Sequence, residues 1–307
     1  MRYTPGSRGS ATILMILIAS VIITVGIGFN WLVREHIKAS DGLKTKAEAI
    51  LKARSAYDTI IYLVLNGQLT RKEITVSGCE NIADLKALPL NGEEVLLTDD
   101  IYVRLQDSNG MLSLASLNVT VMERLFRKIW GMDNVSGQID SLRDWIDADD
   151  LSRINGAEAF YYRGEGLPYT PRNYPLQYMD ELKFIKGFDT ELYDKIQPYL
   201  TMLPNTGFNP NTASDEVLMA YLDINEESLK ILKDYMLKKA IASNIELFAL
   251  TGRRISSNEE GIYFYPSVFL DVTVSVGRPR SLYTIKAGLN TREKPYSPYG
   301  VVYWREE

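Results

Sequence analysis

Ala11–Phe29, ATILMILIASVIITVGIGF, is a run of nineteen residues without a charge. Wound as an α-helix it measures roughly 28 Å, about the thickness of a bilayer hydrocarbon core, so it predicts a membrane span. A short polar stretch, MRYTPGSRG, precedes it with Arg2 and Arg8. No A-x-A-like site follows the run, so the span is expected to stay in the mature protein. A plain signal anchor explains the run equally well. Counting basic residues does not orient it, because Arg34, Lys38, Lys44 and Lys46 follow the span.

Downstream, Leu43, Ala47, Ile50, Leu51, Tyr57, Ile60, Ile61, Val64 and Leu65 recur three, four and seven apart, which reads as a continuing amphipathic helix. The Ser40-Asp41-Gly42 triplet is its expected weak point. From Leu69 to Leu117 the texture becomes short alternating runs, RKEITV, EEVLL, IYVRLQD and MLSLASL, which read as antiparallel strands. Asn109-Gly110 predicts a hairpin joining the last two, since both residues tolerate positive φ. A helical pattern occupies about Asn118 to Ser243. Strands return in FLDVTVSV, SLYTIKAGL and GVVYW, with Arg278-Pro279 as a turn between the first two. Strands, a helical block, then strands again predict an α+β fold with an inserted α domain, its strand-rich part packed on the back half of the first helix.

Composition narrows the chemistry. Among 307 residues there are 34 basic and 39 acidic side chains, a formal charge of −5, which argues against broad phosphate neutralisation and hence against nucleic acid as a partner. The mean hydropathy of −0.12 resembles that of a soluble chain and hides the apolar start. One cysteine, Cys79, and one histidine, His36, leave no intramolecular disulfide, no Cys/His zinc site and no histidine-based triad within a folded domain. With no nucleophile-and-base set, an enzyme is not expected.

Asp144, Asp147, Asp149, Asp150 and Glu158 fall within fifteen residues. So many carboxylates repel one another unless solvated or neutralised, and hard oxygen ligands suit Ca²⁺ better than a transition metal. The spacing is not that of an EF-hand, because Leu151 stands where a third loop ligand would fall. The competing account is a solvated acidic loop, with Asp144 on a helix and Asp149 or Asp150 capping the next. An acid/base pair of the glycosidase kind is a third account, supported by nothing else in the chain. Further on, Thr212 or Ser214 is placed to cap a helix whose first turn holds Asp215 and Glu216.

ELKFIKGFDTELYDKI, Glu181 to Ile196, reads as a helix, a tight turn at Lys186-Gly187 and a second helix, similar to a helix-hairpin-helix unit. Glu216 to Ile231 repeats the outline. Such units often bind DNA through hairpin amides, which makes a membrane-anchored DNA-uptake protein the rival reading. Asp189, Glu191, Glu226 and Glu227 flank the two turns and oppose it.

Several fragments together carry a family resemblance. SLRDWIDADDLSRINGAEAFYY (Ser141 to Tyr162), GFNPNTASDEVLMAYL (Gly207 to Leu222) and NGMLSLASL resemble the K-type minor pseudopilins of the general secretion pathway, and the basic leader with its apolar run resembles the class III leader of type IV pilins and pseudopilins. The resemblance implies a pilin-like fold: a long N-terminal transmembrane and amphipathic helix packed on an antiparallel sheet, with a large inserted all-α domain containing helix-hairpin-helix-like units. Its implied boundaries are a leader at 1–9, a transmembrane helix at 10–33 and its periplasmic part at 34–66. The pilin-like domain would occupy 67–117 and 244–307, around an inserted α domain at 118–243.

The resemblance also implies a prepilin peptidase cut after Gly9, leaving Ser10 as an N-methylated first residue. Most of these proteins carry a glutamate where this chain has Leu14, and the K-type members characteristically lack it. A carboxylate in the bilayer persists where it finds a partner, the N-terminal amine of the preceding subunit, so a chain without it suits the start of a filament. The implied partners are the I-type and J-type minor pseudopilins in a tip complex, the prepilin peptidase and the inner-membrane secretion platform. The implied location is the inner membrane, single-pass, with the C-terminal domain in the periplasm. Calcium is implied in the α domain, with Asp147, Asp149, Asp150 and Glu158 as candidate ligands and Asn155 beside them. A type IV pilus minor pilin is the same-class alternative.

Overall fold

The computed structural model describes residues 8–75, 85–131, 134–253, 264–277, 281–292 and 297–307. Cys79 and the Arg278-Pro279 turn lie outside them. The chain divides into two units, Met1–Lys52 and Ala53–Glu307.

The first unit is helix α1, whose full range is Arg8–Asn66. The helix is long and apolar enough to cross a membrane, and the side chains from Ile13 to Phe29 are exposed. Ser40-Asp41-Gly42 does not interrupt it: the triplet is helical, and Thr45 Oγ1 donates to Asp41 O one turn back. A lone glycine costs about 1 kcal/mol against alanine in a helix interior, too little to break a helix with good formers on both sides.

In the second unit, Ala53, Tyr57, Ile60 and Leu63 of α1 form one buried stripe. Tyr57 meets Trp304 edge-on at 4.8 Å, and Arg54 pairs with Glu306 at 3.2 Å. The strands in chain order are β1 (Gln68–Leu69), β2 (Glu73–Thr75), β3 (Ala87–Pro89), β4 (Asn91–Thr98), β5 (Ile101–Asp107), β6 (Leu112–Ser113), β7 (Leu200–Thr201), β8 (Phe269–Val276), β9 (Tyr283–Asn290) and β10 (Gly300–Glu306). The first three form a small antiparallel sheet. The main sheet is antiparallel in the order β10-β9-β8-β5-β4. Strict alternation builds it: Leu270, Val272, Val274 and Val276 of β8 are buried while the residues between them are not.

One expected hairpin is absent. Asp107 accepts from Asn109 N, Ser108–Gly110 becomes a 3₁₀ turn, and β6 pairs in parallel with β7, not with β5. The cause is tertiary. A Cβ on Gly110 would meet the Thr212 backbone at 2.5 Å, so this glycine serves close chain approach and not a positive φ.

Between Asp107 and Leu270, which face each other across the β5–β8 ladder, the chain leaves the sheet and builds a helical body. Its helices are α2 (Val119–Trp130), α3 (Ser136–Ile146), α4 (Ala159–Gly164), α5 (Thr190–Ile196), α6 (Asp215–Leu222), α7 (Glu226–Met236) and α8 (Asn244–Thr251). Asn118, Asp189, Ser214, Asn225 and Ser243 cap five of them through the third amide of the following helix. Leu125, Phe126, Leu142, Leu192 and Leu232 belong to a core that includes Leu112 of β6 and Leu200 of β7 but no buried residue of the main sheet. In the first hairpin-like unit, Met179–Phe184 is 3₁₀ and not α, followed by Gly187 at φ +85° and α5. In the second, α6 and α7 are joined through Asp223 at φ +51°.

Candidate metal centre

Helix α3 ends at Asp147, and the chain returns to α4 through Glu158, whose carbonyl accepts from Tyr161 N and Tyr162 N. Asp144, on the last turn of α3, is fully buried and organises the loop between them. It accepts from the backbone N–H of Arg153 at 3.1 Å and from the Arg153 guanidinium, whose same nitrogen also donates to Asp147 Oδ2. Arg153 thus bridges two carboxylates, and they hold its proton more firmly than usual. Gly156 makes room, since any Cβ there would overlap Asp144 Oδ2. Lys186, on the turn of the first hairpin-like unit, clamps the loop from outside: its Nζ donates to Gly156 O at 3.0 Å, and its backbone amide donates to Tyr162 Oη at 3.0 Å.

This closure brings carboxylate oxygens of Asp147, Asp149 and Glu158 within 4.8 Å of one another. Asp150 is outside that trio, its Oδ1 accepting from Asn173 Nδ2 at 3.0 Å. Asn155 turns away, donating from N and Nδ2 to Asp140. Asp149 Oδ1 accepts from Leu151 N in a local turn bond. Glu158 is only 2% exposed and neither oxygen has a hydrogen-bond partner; Asp147 Oδ1 is also buried without one. Burial, then the charges of Asp144, Asp147, Asp150 and Asp149, push the Glu158 carboxyl up to about 7. A buried carboxylate in this position requires a proton or a cation. Three hard-oxygen side chains, two of them with buried unpartnered oxygens, therefore fit a Ca²⁺ ion in donor type and charge.

Two residues of this site had not been singled out in the sequence. Arg153 is the sole basic residue between Asp147 and Tyr162, which is a readable signal for an internal counter-ion. Gly156 carries no signal without knowing that Asp144 packs on it.

A second buried polar cluster seats the helical body on the sheet. Asp107, at the end of β5, accepts from Asn109 N, Ser267 N, Thr212 Oγ1 and Asn209 Nδ2. Burial raises its carboxyl and these four bonds oppose the rise. Thr212 is thus occupied here, and Ser214 is the cap of α6. Asp271 of β8 likewise accepts from Thr201 Oγ1 at 2.7 Å and from Tyr303 Oη. At the other end of the chain, Gly9, Ser10 and Leu14 all fall within α1, where Leu14 is exposed.

A family model for "Type II secretion system (T2SS), protein K" matches residues 78–205. Type II secretion system protein K of Pectobacterium carotovorum subsp. carotovorum is 33% identical over 97 residues, 30% of this chain and 30% of that protein. That of Klebsiella pneumoniae is 27% identical over 141 residues, 45% of this chain and 37% of the relative. The Aeromonas hydrophila protein is 30% identical over 171 residues, covering 53% and 47%. The matched part thus spans 30% to 47% of the length of these curated relatives. A solved structure, the GspK-GspI-GspJ complex of the enterotoxigenic Escherichia coli type 2 secretion system, contains a chain similar to this one at TM-score 0.55 and 18% identity, over 89% of this chain and 98% of that one. The likeness to K-type pseudopilins drawn from the sequence holds, and the pilin-like fold with a helical insert holds with it.

Proposed function

We propose that the chain is a minor pseudopilin of a type II secretion system that starts or caps the periplasmic pseudopilus and acts by assembly, not catalysis. One observation carries this reading: the chain matched to protein K places a helical body inside the β5–β8 pair of a pilin-like sheet, behind a helix able to cross a membrane. On this reading α1 is a single-pass anchor in the inner membrane, and the sheet and helical body lie in the periplasm. A prepilin peptidase removes the leader after Gly9, and Ser10 becomes the methylated N-terminus. Without a carboxylate at Leu14 the chain needs no subunit ahead of it. The I-type and J-type minor pseudopilins sit behind it, on the secretion platform.

Asp147, Asp149 and Glu158 hold Ca²⁺, with Asp150 at the rim. The ion supplies the positive charge that the buried Glu158 lacks and ties the end of α3 to the start of α4. The turn at Lys186 braces this loop, a use of the hairpin-like unit that needs no nucleic acid.

Copurification of the full chain with I-type and J-type partners from membranes tests the reading. A stable ternary complex is expected, weakened by Leu14→Glu; secretion that survives Leu14→Glu and loss of the anchor unchanged would overturn it. Mass spectrometry of the purified chain should find a methylated N-terminus at Ser10. Titration calorimetry should find Ca²⁺ heat that Glu158→Gln abolishes.

A further inference from the structure

The loop that gathers the carboxylates and the first turn of α4 that follows it present three bare apolar side chains. Leu151 is 78% exposed, Ile154 98% and Phe160 89%. They follow Asp149 by two residues, stand on the turn beside Arg153, and follow Glu158 by two residues, so they flank the same carboxylates. Side chains this exposed have no supporting wall in the fold, and three such side chains within ten residues of chain mark a contact.

We propose that the segment Asp147–Phe160 is a cation-gated contact site for a phospholipid surface: a divalent ion held by Asp147, Asp149 and Glu158 accepts lipid phosphate oxygens while Leu151, Ile154 and Phe160 enter the acyl layer. The inference rests on the cation site proposed above. That site has an independent mark besides its acidity, the Glu158 carboxylate with both oxygens buried, unpartnered and facing Asp147 and Asp149.

Coordination arithmetic favours a ligand that brings its own oxygens. Ca²⁺ takes six to eight oxygen ligands, and three carboxylates supply at most six, fewer here because Asp147 Oδ2 is held by Arg153 and Asp149 Oδ1 by Leu151 N. Asp149 is exposed, so the open positions face solvent. Charge supplies the gate: without the ion the loop's carboxylates repel an anionic headgroup, and with it they no longer do. A ligand offering anionic oxygens immediately beside hydrocarbon matches this juxtaposition. Leu151 and Ile154 on the loop and Phe160 on the first turn of α4 suit a fluid layer that closes around them more readily than a rigid protein partner, which would need a matching pocket for each.

The test uses the full chain, reconstituted by its anchor in phosphatidylcholine nanodiscs. Its capture of separate vesicles of phosphatidylglycerol and phosphatidylcholine is measured in Ca²⁺ and in chelator, with empty nanodiscs as the control. Capture should be at least tenfold greater in Ca²⁺. The double variant Ile154→Ser, Phe160→Ser should lose that increment while keeping the calorimetric Ca²⁺ heat of the parent. If the parent shows no Ca²⁺ heat, the cation reading fails and this proposal with it. If heat is present but vesicles are not captured, or the double variant captures them as well as the parent, the lipid contact alone is wrong. If the double variant impairs secretion while the parent captures no vesicles, the loop meets a protein and the lipid assignment is overturned.

Discussion

Gly156 is the residue on which the acidic loop closes. Asp144 can be buried there only because no Cβ stands in its way, and the Arg153 bridge to Asp147 depends on Asp144 staying in place. Gly156→Ala should therefore destabilise the chain by roughly 1–3 kcal/mol, the usual cost of overpacking. In chelator that is about 2–10 °C of melting temperature for a body of this size; an unchanged melting curve would show that the loop yields freely. Glu158 adds a pH signature. Its carboxyl titrates near 7 when folded and near 4.5 when unfolded, so the folded state holds the proton more tightly between those values. Stability from this group is greatest below about 4.5, falls as pH rises through 7, and the total loss is on the order of 3 kcal/mol. Other carboxylates work the opposite way. Asp180, held near 2 by Lys183 and Arg305, adds stability above about 4 that is lost in acid. The clean readout is thus the difference between parent and Glu158→Gln: in chelator the variant should gain in relative melting temperature from pH 5 to pH 8, and a constant difference would refute the assignment.

At the scale of elements, Asp107 fixes where the helical body meets the sheet. Four donors from three separate segments converge on its carboxylate, and Asp107→Ala would remove the acceptor they share, leaving the Asn109 and Ser267 amides unpaired while Asn209 Nδ2 keeps only Arg71 O and Thr212 Oγ1 only Asn209 O. A loss of roughly 3–5 kcal/mol is expected by denaturant titration, with faster proteolysis of residues around Asn209. A change under 1 kcal/mol would mean that water replaces the carboxylate. This residue also shows the limit of reading elements from sequence. The alternating pattern of FLDVTVSV was legible because one face of that strand meets one core, and the apolar run of α1 was legible because nineteen uncharged residues match the thickness of a bilayer core. The cap of α6 was legible as Thr212 or Ser214, and the bond of Thr212 to Asp107 leaves the role to Ser214. Asn109-Gly110 was misread because local turn preference is worth little against the tertiary bonds made by Asp107 and the close approach of Thr212. The acidic residues of the centre could be named from their density. Their sorting could not, since Asn173, 23 residues past Asp150, decides that Asp150 leaves the trio.

For the second unit as a whole, the same contacts imply that the helical body can be removed. Asp107 and Leu270 are ladder partners, Ser267 N donates to Asp107 at 2.8 Å, and the Ser108 and Ser267 hydroxyls meet at 2.7 Å, so the inserted chain leaves and returns at one point. The helical core stands apart from the sheet core of Val103, Leu105, Val272, Val274 and Ile285, which Ile60 and Leu63 of α1 accompany in burial. Replacing residues 108–267 with Asn-Gly would join β5 directly to β8 by a short loop of the kind antiparallel pairs favour. The cost lies in the contacts that cross between the bodies, among them Asn209 and Thr212 with Asp107, Asn209 with Arg71 O, Gln106 with Thr212 O, Leu203 against Gly288, Asp180 with Arg305, and Thr201 with Asp271. Asp271→Asn should accompany the excision, because burial already disfavours that carboxylate and the loss of Thr201 removes a bond that offsets it. The excised chain should retain a mixed helix and strand circular dichroism signal and melt cooperatively, but show no Ca²⁺ heat. In a strain lacking the parent it should reach the membrane yet fail to restore secretion, since the helical body would be the part that works at the filament tip. Aggregation without a cooperative melt would show that sheet and helical body share one folding unit, and restored secretion would move the functional surface onto the sheet.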